Sequence, residues 1–144
     1  MAKLEVLGFD DLDDAFKRIG NIPADVTASA LDAMADEATD RIKRIGEQMG
    51  VRDPESNVHI LDKITTKKPK VTDDGGYEVI TFSGTRTRGK TKTRNAEIAF
   101  VNEYGKRGQS PRPFMKKAMA DDKAIAAPGE DIVGDWIEKE FSKN

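Results

Sequence analysis

Residues 99–119, AFVNEYGKRGQSPRPFMKKAM, decide how the rest of the chain is read. The first of them alternate: on an extended chain Phe100 and Asn102 point to one side, Val101 and Glu103 to the other, so the pattern predicts a strand. That strand is expected to stop at Tyr104-Gly105, because glycine accepts a positive φ that β-branched residues resist. A polar loop over residues 106–110 follows. Pro111 and Pro113 then bracket Arg112, set φ at two of three positions and press Ser110 and Arg112 toward extended geometry. Pro113 also suits the first turn of a helix, where its missing N–H would have had no partner. The helix it opens carries Phe114, Ala118 and then Ala120 or Asp121, with Lys116 and Lys117 outside. It is expected to run to about Ala126 and to end at Pro128-Gly129.

Working outward, residues 130–141 predict a last helix whose apolar face is Ile132, Val133, Trp136, Ile137 and Phe141. Glu130 and Asp131 at its start and Lys139 near its end complement the helix dipole. Trp136, the single tryptophan, is expected to anchor the core. On the other side, residues 83–95 hold no apolar residue and no acid, but carry Arg86, Arg88, Lys90, Lys92 and Arg94. Self-repulsion and missing apolar area predict an arm that is mobile in the free monomer. The arm suits DNA phosphates, through counterion release, or an acidic surface on a partner protein. No aromatic interleaves its charges, so stacking with single strands is not expected. A solvated hairpin arm is the plainer reading; an arm folded onto a neighbouring copy is the preferred functional one.

Further toward the N-terminus, residues 77–82 alternate Tyr77, Val79 and Thr81 against Glu78, Ile80 and Phe82, a strand pattern. Asp73-Asp74-Gly75-Gly76 marks a tight hairpin turn. Residues 65–72 are polar, and Pro69 confines them to an edge or irregular strand. Residues 58–64 suit a short helix or a strand and include His59, the only histidine, which has no cysteine or second histidine to join it in catalysis or metal binding. The longest helix starts at Pro23 or Asp25 and reaches about Met49, where Gly50 closes it. Its stripe is Val26, Ala30, Met34, Ala38, Ile42, Ile45 and Met49. Acids lie early (Asp25, Asp32, Asp36, Glu37) and bases late (Arg41, Lys43, Arg44), again matching the dipole. The stripe is read as a core face before an oligomer contact. Residues 3–7 predict a short strand, and Asp10 caps a helix with Leu12, Phe16 and Ile19 on one face.

At 144 residues the chain is expected to be one α+β domain: two N-terminal helices, a mainly antiparallel sheet of about four strands and two C-terminal helices. Apolar residues are 37% and charged residues 35%, so the core is small and much of the surface charged. The net charge of −2 argues against a strongly basic nucleic-acid binder. The absence of cysteine excludes disulfides, thiolate metal sites and a cysteine nucleophile. No window reaches the length of a membrane span, and Ala2-Lys3-Leu4-Glu5 after Met1 does not resemble an export signal.

Glu-Tyr-Gly ending an aromatic-rich strand, a short loop, and Pro-Arg-Pro-Phe opening a helix together resemble one family. It is the small tail-component family of long-tailed double-stranded-DNA bacteriophages, whose members complete the tail or join it to the head. The likeness is carried by about twenty residues, 99–119. It implies a non-enzymatic virion protein, assembled in the bacterial cytoplasm, that forms a ring, commonly six-fold. Such a ring would lie between the connector or head-completion protein and the tail-tube protein, close to the passing genomic DNA. It also implies partner contacts at Arg86, Arg88, Lys90, Lys92 and Arg94 and, in the corner, at Glu103, Tyr104, Arg107, Arg112 and Phe114. Of these, Phe114 suits the core better, while Arg112, held extended, suits an acidic partner. Two departures from the pattern stand out: no Thr-Gly follows the long helix, and the basic arm is longer than the usual loop.

Enzyme signatures are sparse. There is no Walker loop and no dinucleotide glycine fingerprint, and Asp10-Asp11, Asp13-Asp14 and Asp73-Asp74 are explained by capping and turns before acid–base or cation chemistry. No cofactor is expected. The rival readings are a nucleic-acid-binding module acting through the arm and Lys67, Lys68 and Lys70, and a small nuclease.

Overall fold

The computed structural model describes residues 20–51, 59–73 and 75–143, the Arg88 side chain excepted. The strand and capped helix expected over residues 3–19 lie outside the described residues.

Helix α1, Ala24–Gln48, is the long helix expected. Its stripe faces inward: Ala30, Ala38, Ile42 and Ile45 are buried and Val26, Met34 and Met49 half-buried. The helix closes as a Schellman motif, with Val51 N–H donating to the Gly46 carbonyl at 2.9 Å and Gly50 N–H to that of Glu47 at 3.1 Å. Val51 is thereby turned into the core beside Ile42, Ile45, Leu61, Phe82, Ala99, Phe114 and Ala118. Of residues 58–64, Val58 lies outside the described residues, and Ile60–Lys63 form a 3₁₀ turn whose Ile60 and Leu61 enter that core.

The expected four-stranded sheet is absent among the described residues; six short strands form three separate antiparallel pairs instead. Strands β1 (Ile64–Thr66) and β4 (Ile80–Phe82) pair with Ile64 opposite Phe82. Strands β2 (Lys70–Thr72) and β3 (Gly75–Tyr77) pair with Lys70 opposite Tyr77. The two ladders are one interrupted hairpin: three residues (67–69) on one arm face two (78 and 79) on the other, a bulge at Pro69, which cannot donate to a ladder. This is why the single strand expected over residues 77–82 splits. Its alternation still holds: Tyr77 and Val79 face solvent, while Glu78, Ile80 and Phe82 turn inward.

The strand expected at the start of the 99–119 stretch is a helix, α2 (Asn95–Tyr104). Its buried residues are Asn95, Ala99, Asn102 and Glu103, at helical spacing, and Phe100 lies outside at 63% exposed. The inward side chains are mostly polar and the outward ones aromatic, so a reading that takes apolar residues as the inner face picks the wrong period. The expected stop at Tyr104-Gly105 is present. Gly105, at φ 76°, donates its N–H to the Val101 carbonyl at 2.8 Å, an αL cap.

Pro113 precedes helix α3, Phe114–Met119, which is shorter than expected. Asp121 interrupts it and caps α4, Asp122–Phe141, by accepting from Ala124 N–H at 3.2 Å. Helix α4 runs through Pro128 and Gly129, which therefore do not separate two helices as expected. An interior proline costs a helix about 3 kcal/mol, and packing against α1 outweighs it. A Cβ on Gly129 would lie 2.6 Å from Met34 Sδ and 3.1 Å from the Ala30 carbonyl oxygen. Glycine thus lets the two helices meet where proline weakens one. Trp136 is half-buried beside Val26 and Ile132, in a groove between α1 and α4, and is not part of the main core.

Candidate partner-binding surface

The run 83–95 is a hairpin, the form the plainer reading of the arm expects. Strands β5 (Thr85–Arg88) and β6 (Thr91–Arg94) pair across the Gly89-Lys90 turn. Register explains how so basic a segment pairs at all. Thr85 faces Arg94, Arg86 faces Thr93, Thr87 faces Lys92 and Arg88 faces Thr91, so no two bases lie directly opposite. The hairpin is fastened at its base. Asn95, fully buried, donates its amide to the Ser83 carbonyl at 2.8 Å, and its backbone N–H to that of Gly84 at 3.0 Å. Ser83 N–H in turn reaches the Lys63 carbonyl at 2.8 Å. Asn95→Ala is expected to lose about 1–2 kcal/mol of stability and to speed amide exchange across residues 83–94, read by hydrogen exchange.

Between the hairpin and α2 lies an open cleft of about 350 Å³, bordered by Arg86, Thr93, Glu97, Ile98 and Asn102. Arg94 pairs with Glu97 at 3.0 Å across its edge. On the outer face of α2, the Phe100 and Tyr104 rings meet at a tilt of 46°, 4.7 Å between centroids, and are 63% and 67% exposed. An exposed aromatic pair beside exposed bases has the composition of a protein-docking surface, apolar anchors with a charged rim.

The corner residues part ways. Tyr104 is in that exposed pair, and Arg107 sits at the tip of a tight turn closed by the Lys106–Gln109 backbone bonds of 3.1 and 2.9 Å. Arg112 donates to the Gly50 carbonyl at 2.9 Å and so ties the corner to the end of α1. Glu103 is buried and accepts from the N–H groups of Met115 and Lys116 at 2.8 and 3.0 Å, serving the exposed donors of α3 from another helix. Phe114 has no exposed surface and meets Phe82 edge-to-face at 6.2 Å.

A second surface escaped the sequence reading. Glu78, on the inner side of the interrupted hairpin, faces Asp32 and Asp36 of α1. The residue is half-buried, yet both its carboxyl oxygens are shut off from solvent without a hydrogen-bond donor. Desolvation first, then a hydrogen bond to Asp32 and the charges of Asp32 and Asp36, push its pKa from 4.5 up to about 7. The proton Glu78 keeps is what lets it donate to Asp32. The sign of the pH effect follows. Below 4.5 both folded and unfolded chains hold the proton. Between 4.5 and about 7 only the folded chain holds it, so stability falls as pH rises across that window and then levels off. Glu78→Gln is expected to flatten this decline, raising Tm by a few degrees at pH 8 and leaving it unchanged near pH 4. Inward alternation at Glu78 was legible in the sequence; its meeting with Asp32, 46 positions away, was not.

Among the described residues, no three acidic or histidine side chains gather closely enough to hold a metal ion, and no helix is long and apolar enough to cross a membrane. No family model, curated protein or solved structure matches the chain.

Proposed function

We propose that the protein is a structural, non-enzymatic component of a phage or prophage virion that works by self-assembly into a ring at the head–tail junction or tail end. The observation that carries this reading is the basic hairpin, fastened by Asn95, with the exposed Phe100–Tyr104 pair on the helix that follows it. A basic hairpin fastened at its base, with aromatic anchors on the following helix, suits contact with a folded partner, and the fastening lowers the entropic cost of docking it. The tail-component resemblance supports the virion setting through the loop and the Pro-Arg-Pro-Phe entry to α3. Its strand half gives no support, since residues 99–104 are helical. The connector on one side and the tail-tube protein on the other are the partners proposed with it.

The rival reading, a nucleic-acid-binding module using the same hairpin, gains from the aromatic pair a stacking platform that the sequence alone lacks. The net charge of −2 counts against it. Light scattering over a range of protein and salt concentrations separates the two. A discrete ring-sized species, or a monomer converting to one as concentration rises, is the expected result. A strict monomer that binds duplex DNA with steep salt dependence would replace the assembly reading with the nucleic-acid one.

A further inference from the structure

Two segments of this near-neutral chain carry opposite, unmixed charge. Residues 83–95 hold five bases and no acid, and residues 24–40 hold five acids and no base. The fold keeps them on separate surfaces: the hairpin packs on α2, whereas the acidic segment is the first half of α1. On α1 the solvent-facing positions recur every three or four residues as Asp25, Ser29, Asp32, Asp36 and Asp40. This makes an acidic ridge about 22 Å long at 1.5 Å per residue. Like charges four apart, as at Asp32, Asp36 and Asp40, oppose the helix that carries them. Among the described residues, no cation pairs with any of these four aspartates; Arg41 is engaged by Glu37 and Asp121 instead. Glu78 adds a further acid at the ridge, its oxygens without a donor.

We propose that the β5–β6 hairpin of one copy docks on the acidic ridge of α1 in a second copy, its exposed Lys90 and Lys92 set against Asp32 and Asp36. The strands of the hairpin are about 13 Å long at 3.3 Å per residue, so the hairpin fits within the ridge. Bases brought to Asp32 and Asp36 supply the cations that the isolated chain lacks there. Because the two surfaces differ, the contact is head-to-tail and leaves one hairpin and one ridge free, so it propagates until the rotation closes a ring. This rests on the assembly reading and names the surfaces it would use.

The test is a charge exchange on the full chain. One variant carries Lys90→Glu with Lys92→Glu, the other Asp32→Lys with Asp36→Lys; circular dichroism melts verify folding, and in the second pair a lysine stands beside the Glu78 carboxyl. Each variant alone is expected to self-associate at least about tenfold more weakly than the wild type, since like charges then face each other. A one-to-one mixture is expected to assemble again, in strict alternation, because every contact in it pairs opposite charges. Wild-type assembly with variants that assemble equally well, or a mixture that stays dissociated, would overturn the docking and leave the assembly reading intact. A wild type that stays monomeric at every concentration would overturn both. Among such monomers, duplex-DNA binding lost in the Lys90→Glu, Lys92→Glu variant would assign the hairpin to nucleic acid.

Discussion

Phe114→Ala is expected to remove about 3–5 kcal/mol of stability, the usual cost of deleting a buried phenylalanine ring. The ring has no exposed surface, meets Phe82 edge-to-face and sits where α1 leaves room at Gly46, whose Cβ, if present, would come within 3.3 Å of it. Phe114 is thus the point at which α1, α3 and β4 share one core. Domains of this size are held by about 5–15 kcal/mol in all, so the variant is expected to lose about a fifth or more of its margin. Urea titration checks it: the midpoint falls while the slope stays constant, as for a change in stability alone. An unchanged midpoint accompanied by lost assembly would instead make Phe114 a contact residue.

Glu103→Ala has the next largest expected effect, about 2–3 kcal/mol. The side chain is only 8% exposed and accepts from two backbone N–H groups at the start of α3. Truncation strips both N–H groups of their acceptor at the part-buried start of α3, and leaving them unpaired there costs more than the net value of the bonds. Glu103→Gln keeps one carbonyl oxygen and is expected to lose about half as much. Hydrogen exchange at Met115 and Lys116 reports the site directly, because those two amides should lose protection first. If the residue were a partner contact, the alanine variant would keep its stability and lose assembly.

Both residues belong to the 99–119 stretch, and they show how far the sequence could be read. Proline spacing and glycine placement were legible because their effects are local: a ring fixes φ at Pro111 and Pro113, and Gly105 takes the positive φ that ends an element. The kind of element that Gly105 ends was not legible. Burial on α2 is decided by what Asn95, Asn102 and Glu103 bond to, and three of those bonds cross twelve or more positions, one to the Ser83 carbonyl and two to the amides of α3. With polar groups inside and Phe100 and Tyr104 outside, apolar periodicity pointed to the wrong structure.

The same division runs through the rest of the chain. By itself the sequence determined α1, with its stripe, its ordered charges and its Gly50 end. It also determined that the chain reverses between Lys70 and Tyr77, with Gly75 and Gly76 placed in the returning strand by the structure, the irregularity at Pro69 and the concentration of bases over residues 83–95. Each follows from interactions within a few residues, where composition and spacing suffice. Tertiary structure alone decided that α4 continues through Pro128, because Gly129 fits against Met34 and Ala30. It alone decided that the basic run is an anchored hairpin, because Asn95 is buried beneath it. It also brought Glu78 against Asp32, setting together two carboxyl groups that no local pattern would place side by side. In each case the deciding energy is a contact between distant parts of the chain, large enough to override the local preference that the sequence displays.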